Sequence, residues 1–192
     1  HALNINACVR QACEELNLDK TKSNFVVAHM GGGISVAAIN KGRIIDTNDA
    51  LIGMGPFSPE RAGALPLEGL IKLAQKHTMK EMKIKLTKNS GVKAYLGTND
   101  MQEVVRRVQD GDQEATLIYN AMIYQIAKEI GAMATTLFGK VDAVIFTGGM
   151  AHGDLTITKL WERVSFIAKN KVVIPGENEL ESLASGGFLA ID

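Results

Sequence analysis

Gly31-Gly32-Gly33 stand directly after the apolar run Phe25 to Met30, and Gly148-Gly149 directly after Val144-Ile145-Phe146-Thr147. Glycine lacks the Cβ that keeps a ligand away and reaches positive φ, so backbone N–H groups in such turns can point at phosphate oxygens. The triple alone is weak, because a Gly-rich hairpin turn with no ligand is at least as common. The second pair closes an expected parallel strand, where open α/β sheets place their ligands. Two such turns in one domain fit a nucleotide, with phosphates at one and base or ribose at the other. Neither is a Walker loop or a dinucleotide fingerprint, since the spacing and the following Lys-Ser/Thr are missing. Arg61, in Glu60-Arg61-Ala62-Gly63, carries a planar, always-charged fork that matches phosphate or carboxylate bidentately; the alternative is a surface ion pair. His29 either bonds phosphate, orders the glycine turn, or is an ordinary hydrogen-bonded core histidine.

These residues need elements to hold them. Ile5, Cys8, Ala12 and Leu16 recur at helical spacing and predict a helix over Asn4 to Leu16. Phe25 to Ala28, Ile34 to Ile39 and Arg43 to Asp46 predict three short strands, the last two joined by a hairpin at Asn40-Lys41-Gly42. The first two strands are expected to run antiparallel around the glycine turn, with Arg61 returned to the same place by a long loop. Thr47 to Ala64 contains Gly53, Gly55, Pro56 and Pro59, too many breakers for a regular element, and loops of this length in a compact domain are usually functional. Pro66 opens a helix with Leu67, Leu70, Ile71 and Ala74 on one face. A helical piece follows over Met79 to Lys88, then a capped start at Asn99 with Gln102. A long, broad-faced helix runs from Asp112 to about Leu137. The remainder, with strands at Val141 to Phe146 and Val172 to Pro175 and helices at Leu155 to Phe166 and from Asn178, reads β-α-β-α, the pattern of a parallel sheet covered by helices.

With 192 residues, 46% of them hydrophobic, the chain can bury a core and is read as one globular domain. Lysine plus arginine equals aspartate plus glutamate at 21 each, so no net field favours nucleic acid or an anionic membrane. Cys8 and Cys13 sit about 140° apart on the first helix and cannot pair there, so they are expected as reduced, mostly buried thiols. No apolar run approaches the roughly 20 residues of a membrane span. The chain is expected to be soluble and cytoplasmic.

The order of Gly-rich strand-turn-strand, long loop with arginine, and Phe146-Thr147-Gly148-Gly149 resembles the superfamily of acetate kinases, sugar kinases, actin and heat-shock ATPases. That resemblance implies an α/β actin-like ATPase (ribonuclease H-like) domain: a mixed sheet with an antiparallel N-terminal meander and helices on both faces. His29-Met30-Gly31-Gly32-Gly33-Ile34-Ser35-Val36-Ala37-Ala38 resembles the acyl kinases, which have histidine where sugar kinases and ATPases have aspartate. Gly55-Pro56-Phe57-Ser58-Pro59-Glu60-Arg61-Ala62-Gly63 resembles the butyrate kinase branch in particular. Similarity runs over essentially the whole chain, including Thr98-Asn99-Asp100-Met101 and Pro175-Gly176-Glu177-Asn178-Glu179.

The resemblance implies that residues 1–192 are the C-terminal nucleotide-binding domain of a two-domain acyl kinase. The N-terminal domain, with an aspartate and a first arginine, is then missing. The implied reaction is butanoate plus ATP giving butanoyl phosphate and ADP with Mg²⁺, or the same reaction on isobutyrate, propionate or acetate. The isolated chain is expected to be inactive, and the alternative is a nucleotide-binding or dimerisation module without acyl transfer. A homodimer through this domain is also implied. Carried over residue by residue, His1 and Arg61 are catalytic. His1 donates to the transferring phosphoryl, a preorganised contact whose loss typically costs about 3 kcal/mol. His29, Gly31, Gly32 and Gly33 serve the phosphates, Gly148, Gly149 and Met150 line the adenosine, and Glu179 holds Mg²⁺ through water. Gly149-Met150-Ala151-His152-Gly153 replaces the Gly-x-Gly-Glu-Asn of acetate kinases, which leaves the purine contacts open.

Overall fold

A computed structural model describes residues 2–176; His1, Glu179 and the helix expected from Asn178 lie outside them. The chain divides into two compact units. The first comprises the residues up to Met30, Ser35–Thr47 and those from Ile130 onward; the second comprises Gly31–Ile34 and Asn48–Glu129.

The first unit is built on a five-stranded sheet of order β3-β2-β1-β4-β5: β1 (Asn24–Met30), β2 (Ile34–Asn40), β3 (Arg43–Thr47), β4 (Ala143–Gly148) and β5 (Asn170–Pro175). Three residues join β1 to β2, far fewer than a parallel crossover needs, so the pair is antiparallel. β2 and β3 are antiparallel with a register shift between Ala38 and Ile39. Lys41 and Gly42, at φ 49° and 79°, form the two-residue turn with both φ positive that matches strand twist. β1 pairs parallel to β4, and β4 parallel to β5. The expected mixed sheet with an antiparallel meander is therefore what forms.

All of β4, and β1 after Asn24, are buried, as central strands covered on both faces should be. Helix α1 (Ala2–Leu16) lays Ile5, Cys8, Val9 and Ala12 into a core cluster with Phe25, Val27, Ile145 and Val172. Their alternating neighbours Val26, Ala28, Val144 and Phe146 are equally buried, which requires a second layer. The same unit also buries Leu160 and Val164 of helix α7 (Asp154–Val164) and Met133 and Ala134 at the C-terminal end of α6 (Gln113–Thr136). At the edge, β3 exposes Arg43, Asp46 and Thr47, polar side chains that discourage further strand pairing. Cys8 and Cys13 are buried and free.

The second unit is helical: α2 (Leu67–Ala74), α3 (Met79–Lys88), α4 (Gly91–Leu96), α5 (Met101–Gln109) and the first part of α6. Two corrections arise here. Asp100, not Asn99, caps α5, accepting from the Gln102 and Glu103 backbone N–H groups. The apolar face expected on α2 forms but is not covered: the helix has no buried residue, and Leu67 and Ile71 are 76% and 60% exposed. Helix α4, which the sequence pattern did not predict, turns out to matter most for the arginine.

Candidate functional site

Arg61 lies on a loop without regular structure, yet that loop is held from several sides. Arg61 N–H donates to Ser58 Oγ at 3.1 Å and Ser58 N–H to the Arg61 carbonyl at 3.1 Å. Ser58 Oγ in turn donates to the Gly32 carbonyl at 2.6 Å, tying the arginine turn to the glycine turn. The start of α4 grips the same residues. Backbone N–H groups of Ser90, Val92 and Lys93 donate to the carbonyls of Glu60, Ser58 and Pro59 at 3.1, 3.1 and 2.9 Å, so the orphan donors of a helix start are used to fix a loop. Gly91 permits this approach: it sits at φ +62°, and a Cβ there would overlap the Ser58 carbonyl and lie 2.8 Å from that of Arg61. Further clamps run from Ala62 N–H to the Leu86 carbonyl at 2.9 Å and from Phe57 N–H to Gln125 Oε1 at 3.0 Å.

The guanidinium itself lies close against Gly33, where any Cβ would collide with Nη1 and come within 2.7 Å of Cζ. Nη1 donates to the Ala50 carbonyl at 2.7 Å. Nε is buried and has no hydrogen-bond partner among the described residues. An arginine fixed by one donor, with another buried and unsatisfied, is a held cation with hydrogen-bonding capacity left over. It opens on a cavity of about 450 Å³ whose walls include Leu51, Ile52, Met54, Leu65 and Leu70.

The glycine triple behaves differently from the expectation of positive φ. None of Gly31, Gly32 and Gly33 is among the positive-φ glycines, and Gly31 N–H is already used by the Gly33 carbonyl at 3.0 Å. What Gly33 supplies is room for the arginine. The positive-φ glycine is Gly148, at +89°, packed so close to Met30 that a Cβ would fall 2.7 Å from its backbone N and carbonyl carbon. A Cβ on Gly149 would meet nothing within 4 Å, so that residue faces open space. Met150 is buried in the short 3-10 turn Gly149–His152, and its side chain belongs to the interior.

His29 pairs in register with Thr147 and is only 2% exposed. Burial pushes its imidazole down from 6.5 to about 4, because a low-dielectric setting disfavours the charged form. At neutral pH it is an uncharged hydrogen-bonding group.

A buried polar cluster adjoins the end of β4 in the same unit. Cys8 Sγ donates to Asn4 Oδ1 at 3.0 Å and lies 3.4 Å from Thr147 Oγ1. Gly148 and Gly176 exchange backbone hydrogen bonds at 3.2 and 3.1 Å. Burial raises the Cys8 thiol, which keeps it protonated and unreactive. The sequence marks Cys8 only as a buried thiol, and the one sign of its link to Asn4 is their i, i+4 spacing on α1. Among the described residues no three acidic, histidine or cysteine side chains cluster as metal ligands, and no described helix is long and apolar enough to cross a membrane.

The chain is 50% identical over 190 residues to "Probable butyrate kinase 2" of Caldanaerobacter subterraneus, covering 98% of this chain and 53% of the relative. It is 46% identical over 188 residues to "Probable butyrate kinase" of Listeria innocua, covering 97% and 53%. The chain thus spans about half the length of these curated relatives. Among solved structures it is similar to the acetate kinase of Porphyromonas gingivalis, at 26% identity and a TM-score of 0.89, covering 100% of this chain and 55% of that one. A hexokinase from Thermus thermophilus, at 14% identity and a TM-score of 0.53, shares the fold alone. The family model described as the Acetokinase family matches residues 1–166, and the chain belongs to that family.

Proposed function

We propose that this chain is the nucleotide-binding half of a short-chain fatty acid kinase that forms an acyl phosphate and ADP from a carboxylate and ATP. The observation that carries this reading is Arg61: a clamped guanidinium with a buried, unsatisfied Nε, standing in the wall of an apolar cavity. A single fixed cation in an apolar concavity suits a carboxylate that carries a hydrocarbon tail. The names of the butyrate kinase relatives support the same substrate class.

In this reading a carboxylate oxygen attacks the γ-phosphorus in line and ADP leaves, while charge spreads over the equatorial oxygens. Arg61 stabilises that charge and orients the acid, needing no reorganisation because Ala50 and Gly33 already hold it. His29, neutral at pH 7, contributes a hydrogen bond and no charge. Gly149, which faces open space, leaves room for the nucleoside, Gly148 lets the turn that carries it pack on Met30, and His1 serves the transferring phosphoryl group. Mg²⁺ would be held chiefly by the nucleotide phosphates, with Glu179 as a water-mediated partner, and supplies charge neutralisation when bound. The remaining residues of the acyl site come, in this reading, from a preceding half of a longer protein. The protein works in the cytoplasm as a homodimer.

Trapping with hydroxylamine tests this directly. The chain joined to such a preceding half should yield butyrohydroxamate from ATP and butyrate, and the 192-residue chain alone none. Absence of hydroxamate from the joined protein, with ATP still bound, would favour the second reading of a binding module without acyl transfer.

A further inference from the structure

We infer that the hydrocarbon tail of the acid runs from Arg61 past Ile52, Leu70 and Leu86 into a second cavity, so that the site takes acids longer than four carbons. This rests on the reading of Arg61 given above. The cavity at Arg61 measures about 450 Å³, a size that ordinarily holds a drug-sized ligand and exceeds what a four-carbon acid fills. Ile52, Leu70 and Leu86 line it and also line a second cavity of about 660 Å³. Beyond those shared side chains the second cavity is bounded by Ala74, Met79, Met82 and the stems of Lys80 and Lys83. Methionine there suits a variable apolar guest, because its unbranched thioether adapts to irregular shapes.

Charge selects the occupant. Arg61 is the one cation and Asp49 the one acid lining the first cavity, and Asp49 Oδ1 already accepts from Leu51 N–H at 2.8 Å. A carboxylate head at Arg61 then leaves its tail only aliphatic walls to follow. Lys80 and Lys83 reach solvent at the far end, as long cationic side chains do when their stems cover apolar surface. On α2, Leu67 lines the first cavity and Leu70 both, so part of the helix's apolar side is left for a guest.

The experiment uses a protein of the relatives' full length that contains this chain, labelled at Ile, Leu and Met methyl groups and titrated by NMR with butyrate, hexanoate and octanoate. Each added methylene should tighten binding about fourfold, so hexanoate should bind roughly tenfold or more tighter than butyrate. Met79 and Met82 methyl signals should move only with the longer acids. Ile52→Lys should bring the hexanoate-to-butyrate affinity ratio to about one, and Met79→Asp should do the same for octanoate against hexanoate. Both positions are exposed, at 46% and 83%, so the variants should fold. A ratio near one in the wild type, or a ratio that persists in both variants, overturns the tail path while Arg61-dependent butyrate binding leaves the kinase reading standing. Acids that bind equally well to Arg61→Ala would place the head group at Lys80 and Lys83, and would overturn both.

Discussion

His29 shows how position fixes a residue's chemistry. On a strand covered on both faces its imidazole stays neutral, with a pKa of about 4 against an ordinary 6.5. The unfolded chain therefore binds more protons between those values, and folding stability is fully present above pH 6.5 and lost as pH falls towards 4. The loss should be on the order of 3 kcal/mol. Urea unfolding at pH 7.5 and pH 4.5 should show it in the wild type and a clearly smaller loss in His29→Asn. An equal loss in both would assign the pH dependence to carboxylates instead. The sequence made His29 and the glycine triple visible, because a histidine and three small residues after an apolar run are unusual. It did not show why they are there. Charge state depends on what covers the strand, and Gly33 is small because Arg61, far along the chain, lies on it.

Helices α2 and α4 mark where local patterns stop informing. The period of α2 was readable, but its apolar face is exposed, and nothing in periodicity says what will cover a face. Helix α4 is six residues long and begins with glycine, so propensity argues against it; it exists because its first N–H groups bond the Ser58–Glu60 carbonyls. Gly91→Ala places a Cβ on the Ser58 carbonyl at a positive φ, which should cost about 1–3 kcal/mol. Thermal unfolding should report that loss, and proteolysis should cleave the Ser58 to Gly63 loop faster than in the wild type. Unchanged cleavage would mean that α4 does not secure the arginine. The meander and the parallel strands were legible because β-branched runs bounded by Asn-Lys-Gly and Gly-Gly carry their own turn chemistry. At Gly148, whose Cβ would strike the Met30 backbone, alanine should force β1 and β4 apart. ADP binding measured calorimetrically should then weaken by tenfold or more, with Gly149→Ala much milder because that residue faces open space.

At the scale of the molecule, a family model matches residues 1–166, and the chain spans about half the length of its butyrate kinase relatives. Within the described residues the five-stranded sheet and the clamped Arg61 loop are formed, and under the proposed reading the remaining acyl-site residues lie in the rest of a longer protein. The most direct test of the account is turnover in a protein of the relatives' full length that contains this chain. With butyrate and ATP, Arg61→Ala should lower kcat by about 10² to 10³, the usual effect of removing a preorganised group from a phosphoryl or acyl transition state, and Arg61→Lys should recover little because an ammonium lacks the fork. Near-normal kcat in Arg61→Ala, with the loop still protected from proteolysis, would contradict the role given to this arginine and with it the proposed chemistry.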